Sequence, residues 1–119
     1  MEEDILRYAE RMHCQELHMA VDEPTGLLAV VAIHNVVLGP ALGGCRCLEY
    51  SNTFSAIEDA IRLARGMTYK AAISNLPLGG GKAVLLKPKN ILDRTKYFRA
   101  FCRFLDNLGC RYITAVDSV

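Results

Sequence analysis

The spacing of apolar positions along the chain predicts a helix, a hairpin and then alternating helices and strands. Residues 3–13 place their apolar side chains on one helical face. Residues 17–21 and 27–37 form two strand-like runs, and the Pro-Thr-Gly turn between them favours an antiparallel hairpin. The second run is apolar on both faces, which indicates a central strand covered on both sides.

The remainder of the chain predicts two longer helices and two further strands. Ser55 begins a capping-box pattern at the start of one helix, and Asn90 is expected to cap another that ends at Gly109. Strands are expected at 83–86 and 111–116. This order predicts an α/β fold, namely a three-layer α/β/α sandwich whose mixed, mostly parallel sheet opens with a β-hairpin. The chain of 119 residues is the size of one domain.

Composition and charge narrow the possible functions. Apolar residues make up 51% of the chain and the net charge is +1, so a folded core is expected and a basic nucleic-acid-binding face is not. No apolar run is long enough to span a membrane, and the amino terminus begins with acidic residues, unlike a signal peptide. We therefore expect a soluble cytoplasmic protein with no membrane or nucleic-acid partner.

Candidate chemistry concentrates in two glycine-rich stretches. Residues 39–44 form a predicted loop after a strand, where open α/β sheets place ligands. Lys70 and Lys82 flank a predicted turn that contains three glycines, and two ammonium groups brought together there would bind a carboxylate or favour a neutral, basic lysine. The alternative is a tight connection between elements with two solvated lysines. A phosphate-binding P-loop is excluded because Ala83 follows Lys82, where Ser or Thr is required.

The histidine and cysteine residues carry weaker signals. His34 stands apart from other ligand-type residues, so we interpret it as a structural histidine. Cys45 and Cys47 are separated by a single residue, but no second cluster at metal-ligand spacing accompanies them, and reduced thiols are expected. The sequence therefore predicts no metal site.

Four segments in order resemble a known family. They are Gly-Pro-Ala-Leu-Gly-Gly at 39–44, Ala-Ile-Arg-Leu-Ala-Arg-Gly-Met-Thr-Tyr-Lys at 60–70, Leu-Gly-Gly-Gly-Lys at 78–82, and Arg-Tyr-Ile-Thr-Ala at 111–115. Together they resemble the amino-terminal domain of the leucine dehydrogenases, within the wider family of glutamate, leucine, phenylalanine and valine dehydrogenases. The resemblance covers nearly the whole chain and implies a substrate-binding and oligomerisation domain.

The resemblance also implies roles for individual residues. Lys70 would hold the substrate α-carboxylate, Lys82 would be the catalytic lysine that activates water, and Asp117 would handle protons at the amino group. The substrate would be bound further by a set of apolar and glycine residues, namely Leu42, Gly43, Gly44 and Met67. The implied reaction is oxidative deamination of an L-amino acid by NAD, which yields a 2-oxo acid and ammonia. An apolar Leu42 suits an aliphatic substrate better than glutamate.

Two departures from the family pattern leave an alternative open. Ser118 and Val119 follow Asp117 where the family has Val-Gly, and no G-x-G-x-x-G motif for a dinucleotide follows any predicted strand. NAD would then be bound mainly by a domain missing from this chain, and the chain alone would be inactive. The alternative is a stand-alone amino-acid-binding or assembly module without turnover.

Overall fold

The computed structural model describes residues 4–35, 39–109 and 112–114, which form three helices and six strands. In chain order these are α1 (Ile5–Arg11), β1 (Glu16–Asp22), β2 (Leu27–Ile33), β3 (Ala41–Gly43), β4 (Cys45–Leu48), α2 (Thr53–Ile73), β5 (Gly79–Leu86), α3 (Arg94–Asn107) and β6 (Tyr112–Thr114). Within the described ranges, no helix has both the length and the apolar character needed to cross a membrane.

The six strands form one mixed sheet. Its order is β1-β2-β5-β3-β6, and β4 follows β3 along the same side of β5. The β1–β2 and β2–β5 pairs are antiparallel, whereas β3, β4 and β6 run parallel to their partners. The predicted hairpin is confirmed: Asp22 pairs with Leu27, and Gly26 between them has a φ of +78°. β2 is central and almost wholly buried, as its apolar run predicts.

Apolar side chains pack on both faces of the sheet, which makes three layers. One cluster joins α3 to alternate residues of β2 and β5, with Val31, Leu85 and Tyr97 fully buried in it. The other joins α1 and α2 to the opposite residues of the same strands, with Val84 and Ile61 fully buried. The predicted α/β/α sandwich with a mixed sheet is therefore confirmed.

The helix starts differ from the predicted caps. Asn52, and not Ser55, caps α2, because the Asn52 side chain accepts a hydrogen bond from the Ser55 N–H at 2.8 Å. Asp93, and not Asn90, caps α3 through the Lys96 N–H. The predicted end of α3 is correct, since Gly109 directly follows the cap residue with a φ of +66°.

Both glycine-rich stretches contain strand, where loop or turn was expected. Residues 41–43 form β3, and a further strand that the sequence analysis missed, β4, begins two residues later. Gly79, Gly80 and Gly81 are the first three residues of β5 and not a turn before it. The short β3 and the glycine run that begins β5 both lack the alternating apolar and polar side chains by which strands are recognised, which explains both errors.

Candidate functional site

A cleft of about 170 Å³ lies between the carboxyl-terminal end of α2 and the first residue of β5. Its lining is largely apolar, with one cationic side chain. The lining residues are Leu42, Met67, Lys70, Ala71, Ser74, Leu76 and Gly79. We had expected a site at the carboxyl ends of the strands, but this cleft meets the amino-terminal end of β5.

Three of the residues predicted from the sequence meet at this cleft. Leu42 comes from β3, whereas Met67 and Lys70 lie one helical turn apart on α2. Leu42 and Met67 are half-buried, and Lys70 is exposed in the last turn of the helix. A cation beside an apolar wall is an arrangement that suits a small carboxylate with an aliphatic substituent. Ala71, Ser74 and Leu76, at the end of α2 and just after it, also line the cleft, although no sequence pattern marked them.

Lys82 lies further along β5 and is half-buried. Its backbone pairs with Ala32 of β2, and its charge acts on the thiol of Cys45 in β4. Lys82 is not among the residues that line the cleft. It follows Gly79, which does line the cleft, by three residues, or about 10 Å along the strand. Lys82 therefore lies on a strand that contributes Gly79 to the cleft, but Lys82 itself is not part of the cleft lining.

The glycines expected to approach a substrate are tightly packed in the sheet. A Cβ on Gly43 would lie 1.7 Å from the carbonyl oxygen of Gly81, so any side chain there would collide with β5. The Gly44 carbonyl accepts hydrogen bonds from the Ala83 N–H at 3.0 Å and from the Tyr112 hydroxyl at 2.8 Å. Asp117, the remaining predicted catalytic residue, lies outside the described residues.

His34 connects the segments that carry the two lysines. Its side chain is only 5% exposed, and its Nδ1 and Nε2 atoms each lie 2.9 Å from a partner, the Thr68 hydroxyl and the Met12 carbonyl respectively. Its backbone N–H donates to the Gly80 carbonyl at 2.8 Å. The interpretation of His34 as a structural histidine with both ring nitrogens engaged is confirmed. Its link to Thr68 was not foreseen.

An ion-pair cluster attaches β4 to the middle of α2. Asp59 accepts hydrogen bonds from Arg46 at 3.1 Å, from the Tyr50 hydroxyl at 2.8 Å and from Arg62. Burial acts to raise the pKa of the Asp59 carboxyl, but the bonds from Tyr50 and Arg62 and the charge of Arg46 together hold that pKa below 3.8. Burial and the adjacent carboxylate raise the pKa of Tyr50 to about 12. None of these residues is among those that line the cleft.

Cys45 and Cys47 of β4 are free thiols that pack against the core beneath α3. Burial and the neighbouring Cys47 raise the pKa of the Cys45 thiol to about 11, although the charge of Lys82 acts to lower it. A protonated thiol is a poor nucleophile and a poor metal ligand. In the part of the chain that the structure describes, no three His, Cys, Asp or Glu side chains are grouped to hold a metal ion.

The chain combines a mixed α/β sheet with an apolar-lined cleft that contains Lys70 at the end of a helix. Comparison with known proteins identifies the family. The Glu/Leu/Phe/Val dehydrogenase dimerisation domain matches residues 11–119. The chain belongs to this dehydrogenase family.

Individual relatives agree with this assignment. Leucine dehydrogenase of Bacillus subtilis is 48% identical over 114 residues, which are 96% of this chain and 31% of the relative. The crystal structure of L-tryptophan dehydrogenase from Nostoc punctiforme superposes with a TM-score of 0.89 at 39% identity, over 96% of this chain and 34% of that one. A hetero-hexameric glutamate dehydrogenase from Thermus thermophilus has the same fold, with a TM-score of 0.69 at 22% identity over 95% of this chain and 33% of that one. The chain thus spans about a third of the length of these relatives.

Proposed function

We propose that this chain is the substrate-binding and oligomerisation domain of an NAD-dependent amino-acid dehydrogenase of the leucine type. In this proposal the whole enzyme deaminates an L-amino acid oxidatively to a 2-oxo acid and ammonia. The observation that carries the proposal is the cleft, where Lys70 stands beside the apolar side chains of Leu42 and Met67. Family membership makes a dehydrogenase reaction the natural use of such a cleft. A cytoplasmic location stays a prediction.

Lys70 would bind the substrate carboxylate. It lies in the last turn of α2, and its ammonium group is the charged group in the cleft lining. A carboxylate there would form a charge-assisted hydrogen bond with this ammonium group beside an apolar wall. Leu42 and Met67 would contact the aliphatic side chain. Among the described residues that line the cleft, no second cation is present to pair with a side-chain carboxylate such as that of glutamate.

Lys82 and Asp117 would carry the proton transfers. Lys82 is half-buried on β5, and in this proposal its side chain takes a proton from water. Water activated in this way would attack the imine carbon, and Asp117 would exchange the proton at the amino nitrogen. Gly43 and Gly44 are buried in the sheet, so their part in this proposal is to let β3 approach β5 closely beside the cleft.

The cofactor NAD would supply the hydride chemistry, but the glycine run at the start of β5 does not fit this cofactor. A dinucleotide needs glycines that leave a cradle for its phosphates. The space beside Gly80 is filled by Thr68 and Ala64, and the space beside Gly81 is filled by the ring of Tyr112. We therefore propose that NAD is bound mainly by another domain of the whole enzyme and that the chain alone does not turn over.

Self-association would use the edge of the hairpin. β1 is an edge strand, and its Met19 and Val21 are 57% and 77% exposed. Leu28 of β2 lies directly opposite Val21 and is also exposed, so the three apolar side chains share one face. We call Met19, Val21 and Leu28 the hairpin patch. An apolar edge of this kind is normally covered, and the family description as a dimerisation domain supports a homo-oligomer.

The decisive experiment restores a cofactor domain. Residues 1–119 would replace the matching segment of Bacillus subtilis leucine dehydrogenase, and NADH formation would be followed with leucine, valine, phenylalanine and glutamate. We expect activity with the aliphatic amino acids in the chimera and none in the isolated chain. NADH formation by the isolated chain would contradict the assignment of NAD to another domain. An inactive but folded and oligomeric chimera would favour the alternative, an amino-acid-binding or assembly module without turnover.

A further inference from the structure

We propose that His34 is a positioning residue that, in its neutral form, sets the relative placement of the Lys70 and Lys82 segments. This inference rests on the proposed function, because it assigns to both lysines a role in the same site. It goes beyond that function in making substrate binding depend on the protonation of a buried histidine outside the cleft lining.

His34, Gly80 and Thr68 contact one another in pairs, and we call these three contacts the triangle. The His34 backbone N–H donates to the carbonyl of Gly80, and the His34 ring bonds the hydroxyl of Thr68. The third side is the packing of Gly80 against Thr68, where a Cβ on the glycine would lie 2.1 Å from the Thr68 nitrogen. Thr68 stands two residues before Lys70, and Gly80 stands two residues before Lys82. His34 therefore contacts both lysine-bearing segments at the same distance along the chain.

The hydrogen bonds define the tautomer of the ring. The Met12 carbonyl can only accept, so Nε2 carries a proton and donates to it. Nδ1 of the neutral ring is then an acceptor, and the Thr68 hydroxyl donates to it at 2.9 Å. The other acceptor available to that hydroxyl is the Ala64 carbonyl, which at 3.4 Å makes a longer and weaker bond. The neutral histidine thus determines the direction in which Thr68 donates.

Protonation of His34 would reverse this arrangement. Nδ1–H would donate to the Thr68 oxygen, and the Thr68 proton would turn to the distant Ala64 carbonyl. A buried positive charge would also arise beside α2. The charged and titratable groups that face the ring are Arg65 and Tyr69 from α2 and His13 from the turn after α1, whereas β5 contributes only backbone.

The surroundings of His34 oppose protonation. Burial lowers the pKa of the imidazole below 6.5, the hydrogen bond to Met12 acts to raise it, and the charges of Arg65 and His13 lower it further. The ring is therefore neutral near pH 7, and the triangle is intact there. A fall in pH through the folded-state pKa would loosen it.

The sign of the resulting pH effect separates positioning from simple electrostatics. A new positive charge near the cleft would, by attraction alone, strengthen binding of an anionic 2-oxo acid as the pH falls. Positioning by neutral His34 predicts the opposite, weaker binding as the ring becomes protonated. The probe would be 4-methyl-2-oxopentanoate, whose carboxylate stays ionised across this range.

The test uses nuclear magnetic resonance on the 119-residue chain. The His34 ring signals would be titrated, together with the backbone amide signals of Lys70 and Lys82. We expect both amides to shift with the same pH midpoint as His34, and the probe to bind more weakly below that midpoint. Amides that do not follow the His34 midpoint would overturn the proposal, and so would tighter probe binding at the lower pH.

Substitutions at Thr68 provide matched variants that leave the histidine in place. Thr68→Val removes the hydroxyl with little change of shape and should uncouple the Lys70 amide from His34, with probe binding roughly three- to tenfold weaker. Thr68→Ser should restore the coupling, and Thr53→Val, the same change at the exposed start of α2, should have no effect. Coupling that persists in Thr68→Val would contradict the proposal. If Lys70→Ala leaves probe binding unchanged, the proposed function fails, while the amide signals still decide the role of His34.

Discussion

Gly80 and Thr68 are in backbone contact, and this contact places the end of α2 on the first residues of β5. A Cβ built on Gly80 would lie 2.1 Å from the Thr68 nitrogen and 2.4 Å from the Ala64 carbonyl oxygen. Since both atoms belong to the helix backbone, neither can move away without shifting the helix. The cleft beside Lys70 depends on this close approach.

We therefore expect Gly80→Ala to destabilise the fold. The added methyl group would push α2 from the sheet, at a cost of about 3 kcal/mol or more in the free energy of unfolding. Gly66→Ala is the matched control, because Gly66 lies in the same helix and has no atom within 4 Å of its missing Cβ. That change should stabilise the chain by roughly 0.5–1 kcal/mol. Denaturant unfolding of both variants measures the difference, and equal stabilities would show that the contact is not tight.

The glycines illustrate what sequence reasoning could and could not provide. A run of three glycines indicates that something comes close to the backbone, and this much was correct. In β5 the approaching groups are α2 and the Tyr112 ring, where the sequence analysis had expected a turn and a ligand. The residues that fill the space beside these glycines are twelve or more positions away in the sequence, so a local sequence pattern cannot identify them.

Asp59 should stabilise the attachment of β4 to α2 in a pH-dependent way. Asp59→Asn keeps the shape but removes the charge that Arg46 and Arg62 bond, and should cost about 1–2 kcal/mol near neutral pH. The folded-state pKa of Asp59 lies below its ordinary value of 3.8. Its contribution is therefore fully present above about pH 4 and is lost as the pH falls through the folded-state pKa.

Unfolding curves of the wild type and Asp59→Asn at several pH values test this linkage. The two proteins should converge in stability as the medium becomes acidic. Asp106→Asn serves as the control, because Asp106 is exposed on α3. A constant difference between wild type and Asp59→Asn from neutral to acidic pH would contradict a contribution from the charge.

The hairpin patch should govern self-association. Val21→Lys places a charge in the centre of the patch and should shift the chain towards monomer at roughly tens of micromolar, a range suited to a modest interface. Leu92→Lys is the control, since Leu92 is 93% exposed but lies outside the hairpin. Sedimentation velocity distinguishes the species. A monomeric wild type would contradict self-association, whereas a Val21→Lys chain that associates like the wild type would place the interface elsewhere.

The long, strongly patterned elements were predictable, and the short ones were not. The apolar run of β2 and the stripe of α2 identify these elements unambiguously, since burial imposes their periods. β3 and β4 were missed because pairing with β5, and not their own side chains, makes them strands. Resemblance predicted Lys70, Leu42 and Met67, which do share a cleft. The bond from His34 to the Met12 carbonyl had no sequence signal, because a backbone acceptor exists at every residue.

Lys70 and Lys82 should differ in the kinetic constant that each affects. Lys70→Ala removes the ammonium group that binds the substrate carboxylate both before and during the reaction. KM should therefore rise by roughly 10- to 100-fold with little change in kcat. Lys82→Ala removes a proton acceptor used in the transition state, so kcat should fall by about 100-fold or more. Both variants would be measured in the chimera with the cofactor domain of Bacillus subtilis leucine dehydrogenase. Lys96→Ala, an exposed lysine on α3 across the sheet, should match the wild type. A Lys82→Ala enzyme with near wild-type kcat would remove Lys82 from the chemistry while leaving Lys70 and its cleft as the substrate site.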